Sequence, residues 1–157
     1  MTQNAQTKFL AESLAELRRA TDHLRYSVQV CGGIDGRSPE FTEEELLRIE
    51  AFTSRFARVV DLLVRKVLRA LDQVEWNESG TLLDVALRAE KRGLVDSVDW
   101  LRELKDLRNR ISHDYAGDHL VEIFIYCHTE FPKLQTTCER VQSYARSLLA
   151  KHTSQNQ

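Results

Sequence analysis

Apolar residues recur at intervals of three and four along almost the whole chain, which is the spacing of one face of an α-helix. Apolar and polar residues do not alternate anywhere for long enough to predict a strand. The first helical pattern runs from about Ala5 to Val30, and Gly32 and Gly33 end it. Its apolar stripe consists of Phe9, Leu10, Leu14, Leu17 and Leu24. A loop is expected to follow, as far as Pro39.

Two further helices are predicted by their capping residues. Thr42 and Glu45 have the spacing of a capping box, in which each side chain bonds to the backbone N–H of the other residue. A long helix should therefore begin here and continue to about Val74. Its buried stripe is Phe52, Phe56, Val59, Val60, Leu63, Val67 and Leu71. Thr81 is the expected cap of a short third helix that ends at Gly93.

The last two helices meet around a short polar segment. Ser97 is the expected cap of the fourth helix, which should end near His113. Its apolar residues are Trp100, Leu101, Leu104, Leu107 and Ile111. A fifth helix should start after Gly117 and Asp118 and is strongly apolar at its outset. We expect Pro132 to break or kink it, because proline has no N–H to donate.

Together these patterns predict an all-α bundle of five helices in a single domain spanning residues 1–157. The core should cover about residues 8–150, and the polar tail 153–157 should be frayed. Helices two and five carry apolar residues on more than one face, which is more than a small bundle can bury. A self-complementary homodimer interface would cover the remainder.

Composition and charge exclude several classes of protein. The net charge is -2 and the pI about 6.2, so a generally basic nucleic-acid binder is excluded and any RNA contact must be a local patch. No stretch has the roughly 18 apolar residues of a membrane span. The polar, amphipathic N-terminus does not resemble a secretory signal. We therefore expect a cytoplasmic protein without a membrane role.

The cysteines do not indicate a metal site or a disulfide framework. The chain has an odd number of cysteines, and their spacing is not that of metal ligands. They are Cys31, Cys127 and Cys138. Cys127 and His128 are adjacent, and adjacent residues on a helix face different directions. We expect reduced thiols, no metal and no cofactor.

The chemistry of this chain is concentrated in Arg108-Asn109-Arg110-Ile111-Ser112-His113-Asp114-Tyr115, where the fourth helix should end. An imidazole moves protons near neutral pH, and a guanidinium holds a phosphate and stabilises its developing charge. On an ideal helix Asn109 lies about 40° from His113, but Arg108 lies about 140° from it. Either the helix unwinds near His113, or two chains share the site.

A twofold dimer would bring two copies each of Arg108 and His113 into one cleft. One imidazole would take the proton from a ribose 2′-hydroxyl, and the other would protonate the leaving 5′-oxygen. Asn109 would orient the imidazole or contact the phosphate, and Tyr115 would stack on a base or donate a hydrogen bond.

A purely structural interpretation of the same residues is also open. His113 would cap the last carbonyls of the helix, Arg108 would pair with Asp106 or Glu103, and Tyr115 would pack against the bundle. Arg102, Lys105 and Arg110 add positive charge along the helix. They would either guide RNA to the cleft or form an ordinary solvated face.

The pattern of Arg108, Asn109, His113 and Tyr115 resembles the motif of HEPN-domain proteins: an Arg, a polar residue, and a His after four to six positions. The final Tyr is similar to the HepT-like toxin subgroup. The resemblance implies a helical homodimer with the Arg and His in a cleft between protomers. It also implies a metal-independent endoribonuclease, with Arg108 and His113 catalytic and Asn109 supporting.

Members of that subgroup are toxins of toxin–antitoxin systems, encoded beside an MntA-like nucleotidyltransferase. By the resemblance, this antitoxin would add AMP to Tyr115, and the substrate would be tRNA or mRNA. Two other functions stay open at this point. One is a non-catalytic substrate-binding subunit of a minimal nucleotidyltransferase, and the other is a structural helical dimer.

Overall fold

Five helices account for most of the chain in a computed structural model that describes residues 2–38, 40–77, 79–114 and 116–155. They are α1 (Gln3–Val30), α2 (Glu43–Asp61, then a π-helical turn over Leu62–Val67, then Leu68–Val74), α3 (Leu82–Lys91), α4 (Val98–His113) and α5 (Leu120–Gln155). The described residues contain no strand, so the predicted all-α helical bundle is confirmed.

The predicted caps start the helices where the sequence indicated. The Thr42 hydroxyl accepts a hydrogen bond from the Glu45 N–H at 3.1 Å, and the Glu45 carboxylate accepts one from the Thr42 N–H at 2.9 Å. Thr81 makes the equivalent capping box at the start of α3. The Ser97 hydroxyl accepts from the Trp100 N–H at 3.1 Å and opens α4. These side chains satisfy N–H groups that have no partner inside the helix.

Helices α2 and α3 end in the same hydrogen-bonded motif but with different residues in the left-handed position. At the end of α3 this residue is Gly93, with φ of 72°. At the end of α2 it is Trp76, with φ of 59°. There the Asn77 N–H donates to the Asp72 carbonyl at 2.8 Å, which closes the turn. A tryptophan thus occupies a position that normally favours glycine.

The core is built around α2, which packs against α1, α4 and α5, while α3 covers its C-terminal part. The Phe52 ring meets Phe56 and Phe124 edge-on, with centroids 6.5 and 5.8 Å apart. The whole predicted stripe of α2 is buried, namely Phe52, Phe56, Val59, Val60, Leu63, Val67 and Leu71. Because α2 has neighbours on several sides, it positions the elements that surround it.

A buried charge cluster ties the end of α2 to α3 and α5. Asp72 is 4% exposed and accepts hydrogen bonds from Arg88 at 3.0 Å and from Arg92 at 2.7 Å. Arg92 also pairs with Glu75, which accepts a further hydrogen bond from the Tyr144 hydroxyl. This bond to Glu75 raises the pKa of Tyr144 above its ordinary value. Each buried charge is paired, so removing one partner would leave an uncompensated charge.

Helix α5 continues through Pro132 without a break, so of the two expected effects of this proline, a break or a kink, the break is wrong. The Pro132 side chain is exposed, while Leu134 and Cys138 on the inner face are fully buried. Since the proline faces solvent, water can satisfy the carbonyl that its missing N–H leaves unpaired. The helix also includes Thr153 and Ser154, which we had assigned to the frayed tail.

None of the helices in the described ranges is long and apolar enough to cross a membrane.

Candidate functional site

An open cleft of about 480 Å³ lies between α2, the end of α4 and the start of α5. We call it the Arg108 cleft. One wall is polar, with Glu50, Ser54, Arg58 and Asp61 from α2. The opposite wall combines Arg108, Ser112 and Asp114 with the apolar side chains of Ile111, Leu120 and Ile123. The cleft has the size and the mixed lining of a small-ligand site.

Asp61 fixes the direction of the Arg108 guanidinium. The Arg108 Nε donates to Asp61 Oδ2 at 2.8 Å, and Nη2 lies 2.8 Å from the same oxygen. Nη1 donates to Asn109 Oδ1 at 3.2 Å. A guanidinium carries five N–H groups, so among the described residues these three contacts leave two for a ligand in the cleft. A guanidinium that is held in place and still has N–H groups to donate is suited to binding a phosphate.

The partner of Arg108 is therefore neither Asp106 nor Glu103, the residues that the structural interpretation proposed. Asp61 is 47 residues away in sequence, and α2 brings it to α4. Sequence reasoning missed it. The available signal was a line of polar residues beside the apolar stripe of α2, with Glu50, Ser54, Arg58 and Asp61 spaced to share one face.

His113 is the last residue of α4, and its side chain is exposed. The helix stays regular up to this point, so it does not unwind to turn His113 toward Arg108. Arg108, Ser112 and Asp114 line the Arg108 cleft, whereas His113 is not among its described lining residues. A single chain thus does not bring the two predicted catalytic residues into one pocket.

The chain turns sharply after α4. The Gly117 N–H donates to the Asp114 carbonyl at 3.3 Å, and Gly117 has a φ of 72° that favours glycine. The Asp114 carboxylate accepts from the His119 N–H at 3.3 Å. Asp114 and Gly117 of this turn line the cleft. Tyr115, the predicted modification position, lies outside the described residues.

The predicted RNA-contacting residues do not form one surface on a single chain. Arg102 and Lys105 line a separate groove between α3 and α4. Arg110 pairs with Glu122 on α5 at 3.2 Å. Only Arg108 of the basic run lines the Arg108 cleft. RNA contact by the other three residues stays a prediction.

The cysteines and histidines do not gather around a metal. In the described part of the chain, no group of three or more His, Cys, Asp and Glu side chains could hold a metal ion. Burial raises the pKa of Cys138 to about 12 and also raises that of Cys127, so both thiols stay protonated near neutral pH. Cys31, Cys127 and Cys138 are all buried and unbonded to one another.

Exposed apolar side chains lie on α2 and α5, two of the three helices that form the cleft. Leu47 precedes Glu50 by one turn on α2 and is 66% exposed. Val121 and Ile125 lie on either side of Ile123 in α5 and are 39% and 45% exposed. We call Leu47, Val121 and Ile125 the apolar rim. All three residues belong to helices two and five, where the sequence pattern predicted surplus apolar surface.

Comparisons of this chain with models of known protein families, with curated proteins and with solved structures give no match. The resemblance to HEPN proteins thus rests on the motif residues and the order of the helices.

Proposed function

We propose that the protein is a metal-independent endoribonuclease that acts as a homodimer, with Arg108 and His113 of both protomers in one composite site. The observation that carries the proposal is the Arg108 side chain, held by Asp61 in an open cleft at the end of the helix that presents His113. An imidazole that moves protons and a guanidinium that stabilises the phosphate are the groups that RNA cleavage without a metal requires.

The directions of the two side chains support a shared site. Because α4 is regular through His113, Arg108 and His113 point about 140° apart on one chain. A twofold axis beside the end of α4 would turn His113 of one protomer toward Arg108 of the other. The apolar rim supports such an interface, since a twofold contact uses the same self-complementary surface on both subunits.

The reaction follows from the two kinds of group. One His113 takes the proton from the ribose 2′-hydroxyl, and the 2′-oxygen attacks the adjacent phosphorus. The bond from phosphorus to the 5′-oxygen breaks, and the second His113 protonates this leaving oxygen. Arg108 stabilises the negative charge on the phosphate during the attack. The products are a 2′,3′-cyclic phosphate and a free 5′-hydroxyl.

The biological role that fits this chemistry is that of a HepT-like toxin acting on tRNA or mRNA. Its antitoxin would be a cognate MntA-like nucleotidyltransferase that transfers AMP to Tyr115. This part of the proposal rests on the resemblance of the motif. Asn109, bonded to Arg108 at 3.2 Å, would keep the guanidinium in place as a supporting residue.

A second candidate is a non-catalytic substrate-binding subunit of a minimal nucleotidyltransferase. The apolar wall formed by Ile111, Leu120 and Ile123 favours it, because a small ligand would be held by contact with such a wall. Both candidates use the same cleft, so an activity measurement has to separate them.

The test is cleavage of purified tRNA and mRNA in the presence of EDTA. Wild-type protein is compared with His113→Ala and with His23→Ala, which removes an exposed histidine on α1 as a matched control. Wild type and His23→Ala should cut and leave cyclic phosphate ends, and His113→Ala should not. Intact-mass spectrometry must first show that the protein carries no AMP.

If none of the three proteins cuts although all are unmodified and folded, the nuclease proposal fails. The binding-subunit candidate then predicts copurification with a nucleotidyltransferase and no growth arrest on expression. If His113→Ala cuts as fast as wild type, the activity belongs to another site or to a contaminant.

A further inference from the structure

A second exposed apolar surface lies on α3, away from the Arg108 cleft. Leu83 and Leu87 are 41% and 49% exposed, and their spacing of four residues makes them neighbours on the outer face of this helix. The opposite face of α3 is used by the core, with Val85, Ala86 and Ala89 buried. A short helix that exposes two leucines has an outer face suited to a partner.

A groove of about 370 Å³ runs beside these leucines, between α3 and α4. Its apolar lining includes Leu82, Leu83 and Leu101, and its α4 side carries Arg102 and Lys105 with one carboxylate, Asp106. We call it the α3–α4 groove.

The two cations of the groove are available for a partner. Arg102 has a long contact of 3.9 Å with Asp99, and both side chains are more than half exposed, which makes this pair weak. Lys105 has no ion-pair partner within the described ranges. The groove therefore combines apolar contact area with two cations that no strong ion pair within the described residues holds, beside one carboxylate.

We propose that the α3–α4 groove binds an acidic amphipathic helix of a partner protein. Leucine-type side chains at intervals of three and four would pack on Leu83 and Leu87, and flanking carboxylates would pair with Arg102 and Lys105. The inference does not depend on the proposed nuclease activity, because no residue of this groove lines the Arg108 cleft.

The composition of the groove favours a peptide over RNA. Single-stranded RNA is bound by aromatic rings that stack on bases, and leucines offer no such face. Asp106 would repel the regularly spaced phosphates of an RNA backbone, whereas a helix can place its carboxylates beside Arg102 and Lys105 and an apolar residue beside Asp106. An acidic helix matches both the leucines and the cations.

The test uses two labelled synthetic helices of about 18 residues. Both carry the same leucine stripe, but one has glutamates beside the stripe and the other has lysines. Fluorescence anisotropy with wild-type protein should show binding of the acidic peptide at least about tenfold tighter than that of the basic peptide. Arg102→Glu/Lys105→Glu should reverse this preference, whereas the matched control Arg18→Glu/Arg19→Glu on α1 should leave it unchanged.

A second variant, Leu83→Gln/Leu87→Gln, should lose binding of the acidic peptide while circular dichroism and thermal melting show an intact fold. Absence of binding to wild type, equal binding of both peptides, or binding that Arg102→Glu/Lys105→Glu does not change would overturn the proposal. A shift in sedimentation mass on Leu83→Gln/Leu87→Gln would assign the groove to a second copy of this chain instead. Binding of single-stranded RNA that depends on Arg102 and Lys105, without binding of the acidic peptide, would assign it to RNA.

Discussion

The Arg108 guanidinium can stabilise a phosphate only if it is held in one direction, and Asp61 is the residue that holds it. For the proposed nuclease, we expect Asp61→Ala to lower the rate of RNA cleavage by about 10- to 100-fold, because a displaced Arg108 would lose most of its effect on the phosphate. The free energy of unfolding should fall by less than about 1 kcal/mol, since the pair is 26% and 34% exposed. Cleavage rates and urea denaturation measure the two effects separately.

The matched control for Asp61 is Glu16→Ala, which removes the carboxylate of a similarly exposed ion pair with Lys66 on the other side of α2. It should leave cleavage unchanged. If Asp61→Ala slows cleavage no more than Glu16→Ala does, Asp61 has only a structural role and Arg108 positions itself without it.

Trp76 makes a second prediction at the residue scale. A residue other than glycine in the left-handed conformation costs roughly 1–2 kcal/mol of stability, which substitution by glycine would relieve. Part of this gain is lost again, because glycine also increases the conformational freedom of the unfolded chain. Since Trp76 is 65% exposed, little packing is lost on its removal. Trp76→Gly should raise the free energy of unfolding by about 0.5–1 kcal/mol in urea denaturation. Gly93→Ala, at the equivalent position of α3, should lower it, and destabilisation by Trp76→Gly would mean that the indole is held by packing.

Single residues also show how far sequence reasoning reaches. Arg108 and Asn109 stand next to each other in the motif, and their contact could be anticipated from it. Asp61 could not, because its contact with Arg108 forms only when α2 packs against α4. The left-handed Trp76 was missed for another reason, since the sequence around it contains no glycine to mark the turn.

At the scale of elements, the helix starts were predictable and the π-helical turn was not. Starts depend on local pairs such as Thr42 and Glu45, whose spacing is visible in the sequence. The π-helical turn over Leu62–Val67 is closed by hydrogen bonds between residues five apart, but the apolar residues keep their spacing of three and four through it. The sequence pattern therefore fits an ordinary α-helix equally well. It begins directly after Asp61, at the point where α2 meets Arg108.

Pro132 gives the prediction that belongs to the element scale. The proline removes one hydrogen-bond donor on the exposed face of α5, while the helix continues and its inner face stays buried. Pro132→Ala should therefore raise the free energy of unfolding by about 1–3 kcal/mol, because it restores one hydrogen bond and removes the clash of the ring. Urea denaturation of Pro132→Ala is compared with Thr136→Ala, one turn later on the same exposed side. Unchanged stability would mean that α5 has already adapted fully to the proline.

At the scale of the whole molecule, the exposed apolar residues fall into separate groups with different uses. The apolar rim lies on α2 and α5, two of the helices that form the Arg108 cleft, whereas Leu83 lines the α3–α4 groove and Leu87 lies one turn further along α3. The proposed dimer uses the first group and the proposed partner helix uses the second. A dimeric nuclease could in this way keep its active site between protomers and still present a docking surface on each of them.

The last prediction follows from the proposed composite site and compares two purified heterodimers. One combines an Arg108→Ala chain with a His113→Ala chain, and the other combines wild type with the double variant Arg108→Ala/His113→Ala. Each dimer retains one Arg108 and one His113, on different chains in the first and on the same chain in the second. Because a shared cleft accepts either source, both heterodimers should cut RNA at similar rates in EDTA and faster than the His113→Ala homodimer.

A site contained in one chain gives a different result. The heterodimer with both residues on the same chain would then keep about half of the wild-type activity, and the one with the residues on different chains would have none. The regular course of α4 through His113 argues for the shared arrangement, since it points the imidazole away from the Arg108 of its own chain. Equal rates for the two heterodimers, both above that of the His113→Ala homodimer, would exclude a site contained in one chain and support the shared cleft.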